Sequence, residues 1–314
     1  MSGTLLDAAA RPVFARHETF PLRFGWLRKA YTETQRDPMV FTQADATVQL
    51  GVGKNMVNAI RYWAQAYKVL EEQHNPQRPR VPQLVPTAFG RRLLDDEYGW
   101  DPWLETPASL WLLHWQLLAP PSLAPAWWVA FHLFAPQQFE ETQLIEHVIE
   151  LSAAAGWRTV MESSIKKDVD CLLRTFALRR QGRQTMDDLL DCPARELGLI
   201  ELAAGESRSW RFVLGAKPSL PAAVVGYACL DYLATRSPGE QSISLARLTS
   251  DPGSPGLAFR LPESVLHEAL LQLAATEPGL HIIEPAGLRQ LVIDAPVSDL
   301  AESLLDRHYS RAQS

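Results

Sequence analysis

Apolar residues along this chain recur mostly three and four positions apart, with short runs of β-favouring residues between the longer stretches. The pattern predicts a mainly α protein with small β-hairpin wings, an α+β fold in which several winged-helix-like modules surround a helical middle. From Phe41 to Leu94 it spells helix, tight turn, helix, wing. Thr42, Gln43, Ala44 and Asp45 offer N-caps for a short helix reaching Leu50, and Gly51-Val52-Gly53 breaks it. A longer helix is expected from Lys54 to Glu72. Its core stripe is Met56, Ile60, Trp63, Ala64, Tyr67 and Val69-Leu70, and its other face carries Lys54, Asn55, Asn58, Arg61, Tyr62 and Gln65. Long hydrogen-bonding side chains of this kind are what a recognition helix needs to reach phosphates and base edges. Gln83 to Pro86 then predicts a hairpin wing with Arg78 and Arg80 near its tip.

Beyond the wing, Ala108 to Leu118 predicts a buried helix, and Trp127, Trp128, Phe131 and Phe134 follow a proline-rich break. Tryptophan and phenylalanine at these spacings read as core in preference to a partner surface, and His114 and His132 among them as structural residues. Phe139 to Ala155 is expected to be a helix closed by Gly156. Ser163-Ser164 would cap a further helix, Ile165 to Leu178. Asp187 to Leu190, Leu197 to Ile200 and Trp210 to Val213 resemble a helix end and a hairpin. Leu220 to Ala234, Ser244 to Leu248 and Pro262 to Ala275 predict helices around a loop at Asp251 to Gly256. Leu280 to Ile283 and Gln290 to Ile293 form a hairpin, and a short helix and tail close the chain. The putting-together gives an N-terminal winged-helix DNA-binding module at 1–100, an acidic tryptophan-rich middle at 101–160, a second helical and winged unit at 161–216, and a C-terminal winged-helix-like module at 217–314. The last module's second helix carries Glu263, His267 and Glu268, which suits protein better than DNA.

Charge sharpens this picture. The net charge is -6 over 314 residues, but its distribution is uneven. No Lys or Arg lies between Arg92 and Arg158, where nine acids from Asp95 to Glu150 gather, a stretch that phosphate would repel. The first ninety residues carry a slight basic excess, and Lys166, Lys167, Arg174, Arg179, Arg180 and Arg183 form a second basic cluster. Solvated helix faces are the plain alternative for each cluster, and helix-turn-helix geometry also serves proteins that bind only protein. Three scattered cysteines without a CxxC pair argue against a disulfide framework or zinc knuckle and fit a reducing cytoplasm. Neither a signal peptide nor a membrane span is predicted.

Enzyme motifs are weak. Around Gly51-Val52-Gly53-Lys54-Asn55 a phosphate-binding loop fails, because Val48 stands at the first glycine position and Asn55 at the hydroxyl. There is no PD…(D/E)xK pattern on a convincing strand, no HNH triplet and no HxH. Glu162 with Lys166, Lys167 and Asp168 could form a site for phosphate and a divalent metal such as Mg, and Glu162 and Asp168 are the only catalytic candidates. Glu and Lys four apart also make an ordinary helix ion pair.

Several segments together resemble a bacterial family known as domain of unknown function 4007. They are Phe24 to Lys29, Leu50 to Trp63, Asp101 to Trp115, Ser164 to Leu173 and Leu197 to Ile200. Gly51, Lys54, Asn55, Arg61, Lys166, Lys167 and Asp168 match its motifs. Members of the family occur beside DNA-sulfur-modification enzymes, and the DNA-nicking B component of Ssp-type single-strand phosphorothioation systems is similar. The resemblance implies that this chain engages double-stranded DNA and nicks it for sulfur incorporation, in company with a cysteine desulfurase, an ATPase and an ATP-pyrophosphatase-like subunit. It supplies no catalytic set. A winged-helix adaptor that bridges DNA and the sulfur-transfer machinery through the acidic middle, or a transcriptional regulator, are the alternatives.

Overall fold

The computed structural model describes residues 2–76, 78–158, 160–177, 192–203 and 209–312. Helices and three small antiparallel sheets make up the mixed α+β architecture expected from the periodicity. After α1 (Ser2–Ala9) and α2 (Trp26–Arg36), a short α3 (Ala46–Gln49) leads through Gly51, at φ 63°, into α4 (Lys54–Ala66). The expected continuation of α4 to Glu72 does not form. Lys68 turns left-handed at φ 56° and the Val69 amide bonds back to the Ala64 carbonyl at 2.9 Å, which stops the helix. Leu70–Gln73 becomes β1, paired with β2 (Gln83–Pro86) in the register Leu70↔Pro86. The polar run Glu71-Glu72-Gln73 continues a helical pattern on paper, but here it is one exposed strand of a two-stranded hairpin. Helix α5 (Ala88–Leu94) follows, its first turn capped by the Thr87 hydroxyl, which accepts from the Gly90 amide at 2.8 Å.

In the middle, α6 (Pro107–Leu118) and α7 (Pro125–His132) are buried on all sides, as their predominantly apolar character requires. A helix from Phe139 was expected, yet Gln138–Glu140 is a strand, β3, with Phe139 opposite Trp210. Helix α8 (Glu141–Ala154) starts just after it, with a reciprocal cap between Glu140 and Gln143. Gly156, at φ 71°, ends that helix as expected. Helix α9 (Glu162–Phe176) begins before Ser163-Ser164, which therefore sit inside its first turn and do not cap it. β4 (Ile200–Leu202) and β5 (Ser209–Phe212) complete a sheet ordered β3-β5-β4. Leu178, Arg179, Arg180, Arg183 and the segment Asp187 to Leu190 lie outside the described residues.

The remaining elements are α10 (Ala222–Arg236), β6 (Ser242–Ser244), α11 (Leu245–Ser250), α12 (Pro255–Phe259), α13 (Glu263–Ala274), β7 (Leu280–Ile283), β8 (Gln290–Ile293) and α14 (Val297–Ala312). The loop expected at Asp251 to Gly256 gives way to the single turn of α12, capped by the Ser254 hydroxyl. The third sheet is ordered β6-β8-β7, so it repeats the plan of the second: one strand, helices, then a hairpin whose last strand takes the centre. One contiguous cluster of buried apolar side chains runs from Leu6 to Tyr309, and Ala46, Leu50 and Val57 form a separate small one between α3 and α4. Trp63, Trp111, Trp115, Trp127 and Trp128 lie within the larger cluster, and all three cysteines are buried and free.

Candidate nucleic-acid interface

Lys54, Asn55 and Asn58 are exposed on α4 and Arg61 is half-exposed, while Val57, Ile60, Trp63 and Ala64 face the core. Tyr62, expected on the polar face, is instead buried, with its hydroxyl donating to the Leu123 carbonyl at 3.1 Å. Helical geometry explains the difference. Tyr62 lies two residues from Ile60 and one from Trp63, at the margin of the apolar arc, and an aromatic ring there folds inward. Arg78 and Arg80 are exposed in the connection between β1 and β2. The face is not uniformly cationic. Arg61 bonds to Glu72 on β1 at 3.0 Å, and the Asn58 amide donates to Glu18 at 3.2 Å.

The second basic cluster lies on α9. Lys166 and Lys167 are exposed, and Arg174, two turns after Lys167, shares its side of the helix. Glu162 and Lys166 form the ordinary i, i+4 ion pair at 2.6 Å, both well exposed. Asp168 lies on the opposite side, 1% exposed. Its Oδ1 accepts from the Ala15 amide at 2.7 Å and from His17 Nε2 at 2.9 Å. Burial pushes the Asp168 carboxyl above its ordinary value, and the hydrogen bonds from His17 and Ala15 pull it back. Glu162 and Asp168 therefore share no face, and no three His, Cys, Asp or Glu side chains gather as a cation site among the described residues.

What sequence spacing did not reveal is the piece between the clusters. Segment 15–20 threads between α4 and α9 and touches both. The His17 ring stacks on Trp63 of α4 at 5.9 Å and meets Tyr62 and Trp127 edge-on. The Trp63 indole donates to the Phe20 carbonyl at 2.9 Å, and Arg174 of α9 donates to the Thr19 carbonyl. Three non-glycine residues in this short stretch, Ala15, Glu18 and Thr19, are left-handed, at φ 56°, 50° and 68°. Such backbone persists only where its surroundings over-determine it. Here His17 does much of that work. Because the Thr19 amide donates to Nδ1 at 3.0 Å, the ring proton sits on Nε2, aimed at Asp168. Two basic clusters more than a hundred residues apart are thus fastened to one strained segment, with Arg16 exposed on it. The only sequence clue was the lone His17 among polar neighbours, whose partner lies 151 positions away.

A family model described as "Protein of unknown function (DUF4007)" matches residues 14–309. The chain belongs to this family. No curated protein matches it. Among solved structures, the family member is similar to an SspB crystal structure, with 44% sequence identity and a TM-score of 0.92, over 99% of this chain and 92% of that one. It is also similar to a magnesium ion-bound SspB crystal structure, at 43% identity and a TM-score of 0.92, over 98% of this chain and 91% of that one. Among the described residues, no helix is long and apolar enough to cross a membrane.

Proposed function

We propose that this protein is the DNA-engaging B component of a bacterial DNA phosphorothioation system. It receives duplex DNA on the face made by α4, the β1–β2 hairpin and α9, with helix-turn-helix and wing used as in a winged-helix protein. One observation carries the reading: segment 15–20 bonds to Asn58 of α4 on one side and to Asp168 and Arg174 of α9 on the other, so the two helices that expose Lys54, Asn55, Lys166 and Lys167 are fastened to one piece of chain. The likeness to SspB over nearly the whole chain supports it. Phosphate neutralisation by such a face supplies affinity and register, and the polar tips at the start of α4 supply contact with base edges. The neighbours of this protein in the cell are then the cysteine desulfurase, ATPase and ATP-pyrophosphatase-like proteins of the same cytoplasmic system.

Nicking of the duplex is the activity that accompanies this role. A second reading, a non-enzymatic adaptor, is favoured by one observation: Glu162 is spent on Lys166 and Asp168 is held inside by His17, so these two carboxylates do not converge on one phosphate. Glu162 and Asp168 do not fit a shared magnesium site. Incubating the purified protein with supercoiled plasmid and Mg²⁺, with and without EDTA, separates the two readings. Open-circle product that disappears with EDTA supports the nickase; intact plasmid with a retained gel shift supports the adaptor. Loss of the gel shift on Lys54→Ala with Arg78→Ala and Arg80→Ala is expected under both, and an unchanged shift overturns the proposed face.

A further inference from the structure

Of the ten tryptophans in the chain, Trp103 is the exposed one, at 68%, and Tyr98 nearby is 85% exposed. Both ride on the connection between α5 and α6. That connection is not loose. Asp95 Oδ1 accepts from the amides of Glu97 and Tyr98 at 3.0 and 3.1 Å, and the Trp100 and Asp101 amides return to the carbonyls of Arg92 and Leu93 at 2.7 and 3.0 Å. The Asp101 carboxylate, itself buried, takes the amides of Glu105 and Thr106 and the hydroxyls of Thr106 and Ser109. Two large aromatic side chains are therefore held in water by a pre-built loop. Aromatics on such a loop lose little freedom when a partner covers them.

The charge around them selects the partner. Arg28 lies 4.9 Å from the Trp103 ring and bonds to Asp96, so that carboxylate is answered from within, while the Trp103 side chain stays open to solvent. Glu97 and Glu105 are exposed and have no ion-pair partner among the described residues. No Lys or Arg occurs from Leu93 to Trp157 to offset them. Phosphate is repelled here, so this surface is not an extension of the basic face. We propose that the 95–106 loop is a docking surface for a protein partner presenting arginine or lysine. Trp103 and Tyr98 cover the cationic side chains with their ring faces, and Glu97 and Glu105 pair with the charge. The proposal is independent of whether α4 reads DNA.

The test uses the full-length protein and a fluorescein-labelled octapeptide of alternating arginine and serine, titrated by anisotropy at 50 mM salt. Trp103→Ala and Tyr98→Ala are each expected to weaken binding at least fivefold, and the pair Glu97→Gln with Glu105→Gln at least as much. Glu146→Gln with Glu150→Gln, which removes equally exposed charge from α8, is expected to change it less than twofold. Equal losses from both acidic pairs overturn the proposal in favour of unspecific charge attraction. So does a Trp103→Ala variant that folds, by its unchanged melting curve, and binds the peptide as before. A dimer in sedimentation that Trp103→Ala dissolves assigns the loop to a second copy of this chain, and a duplex-DNA gel shift, run without the peptide, that Trp103→Ala abolishes assigns it to nucleic acid; either result also overturns the proposal.

Discussion

The stretch Ala46 to Pro86 and the stretch Ser242 to Ile293 both run through helices into a hairpin, yet their leading helices show opposite chemistry to solvent. Helix α4 offers Lys54, Asn55, Asn58 and Arg61. Helix α13 offers Glu263, His267 and Glu268, and Arg289 beside its hairpin lies 3.7 Å from both Glu263 and Glu284. Their attachments to the middle of the molecule differ as well. The first unit is joined through His17, which stacks on Trp63 and bonds to the buried Asp168 of α9, and the last through His114 of α6, whose Nε2 donates to the Ala258 carbonyl of α12 at 2.8 Å. A shared layout thus supports two different surfaces, and function has to be argued from side chains and not from the layout.

Breaking the first junction gives the largest expected effect. His17→Ala leaves Asp168 buried with one hydrogen bond fewer and opens a hole beside Trp63 and Trp127, which should cost about 3–5 kcal/mol in urea unfolding. It should also weaken DNA binding, because Ala15, Glu18 and Thr19 lose the contact that fixes their left-handed backbone. Unchanged stability would mean that the two basic clusters are fastened by something else.

The second junction is sharpened by pH. Burial pushes the His114 imidazole down to about 4, and His132 shifts in the same direction for the same reason. Folding therefore holds His114 neutral where the unfolded chain, with an ordinary imidazole near 6.5, binds a proton. The associated stability is complete above about pH 6.5 and drains as pH falls towards 4, by about 3 kcal/mol for this residue. His114→Gln keeps a donor for the Ala258 carbonyl and removes the titration. Denaturation midpoints measured from pH 7 to 4 should fall less steeply in that variant, and parallel curves would remove His114 from the account.

These two junctions also mark where sequence reasoning stops. Period alone exposed α4, with Ile60, Trp63 and Ala64 on its apolar arc, because a helix face repeats within a few residues, although Val57 and not Met56 is the buried residue of its first turn. The strand at Gln83 to Pro86 was placed correctly, but its partner was absorbed into the preceding helix, since nothing in Leu70-Glu71-Glu72-Gln73 announces that Lys68 turns left-handed. Phe139 was taken for a helix residue because its strand partner, Trp210, arrives from elsewhere in the chain. Asp168 looked like a surface carboxylate beside Lys166 and Lys167, and only the fold brings His17 to its other side. Nothing periodic marks Trp103 as exposed, since it precedes Pro107 in a loop fixed by the Asp101 carboxylate. Periodicity sees local faces, whereas pairing across many residues is settled by tertiary packing.

The charge contrast between α4 and α13 is open to direct challenge. Lys54→Ala should lower the slope of log affinity against log salt by about one unit, as expected for one phosphate contact on B-DNA. Glu263→Ala with Glu268→Ala should leave both slope and affinity for duplex DNA in place. If the two variants behave alike, the contrast between the helices has no bearing on DNA.

Arg61 gives the smallest and most discriminating effect. Its guanidinium is held by Glu72 in a half-exposed pair, so a phosphate arriving at α4 competes with a carboxylate for the same donors. Exposed ion pairs of this kind are worth roughly 0–1 kcal/mol, which bounds what releasing Arg61 can return to binding at about fivefold. Glu72→Gln should therefore strengthen duplex binding by two- to fivefold at low salt, with Arg61→Ala costing less than Lys54→Ala, because it removes a charge that is already partly answered. A fall in affinity on Glu72→Gln reverses the argument. In that case the pair holds the guanidinium in position against the wing, and Glu72 is part of the DNA face and not its competitor.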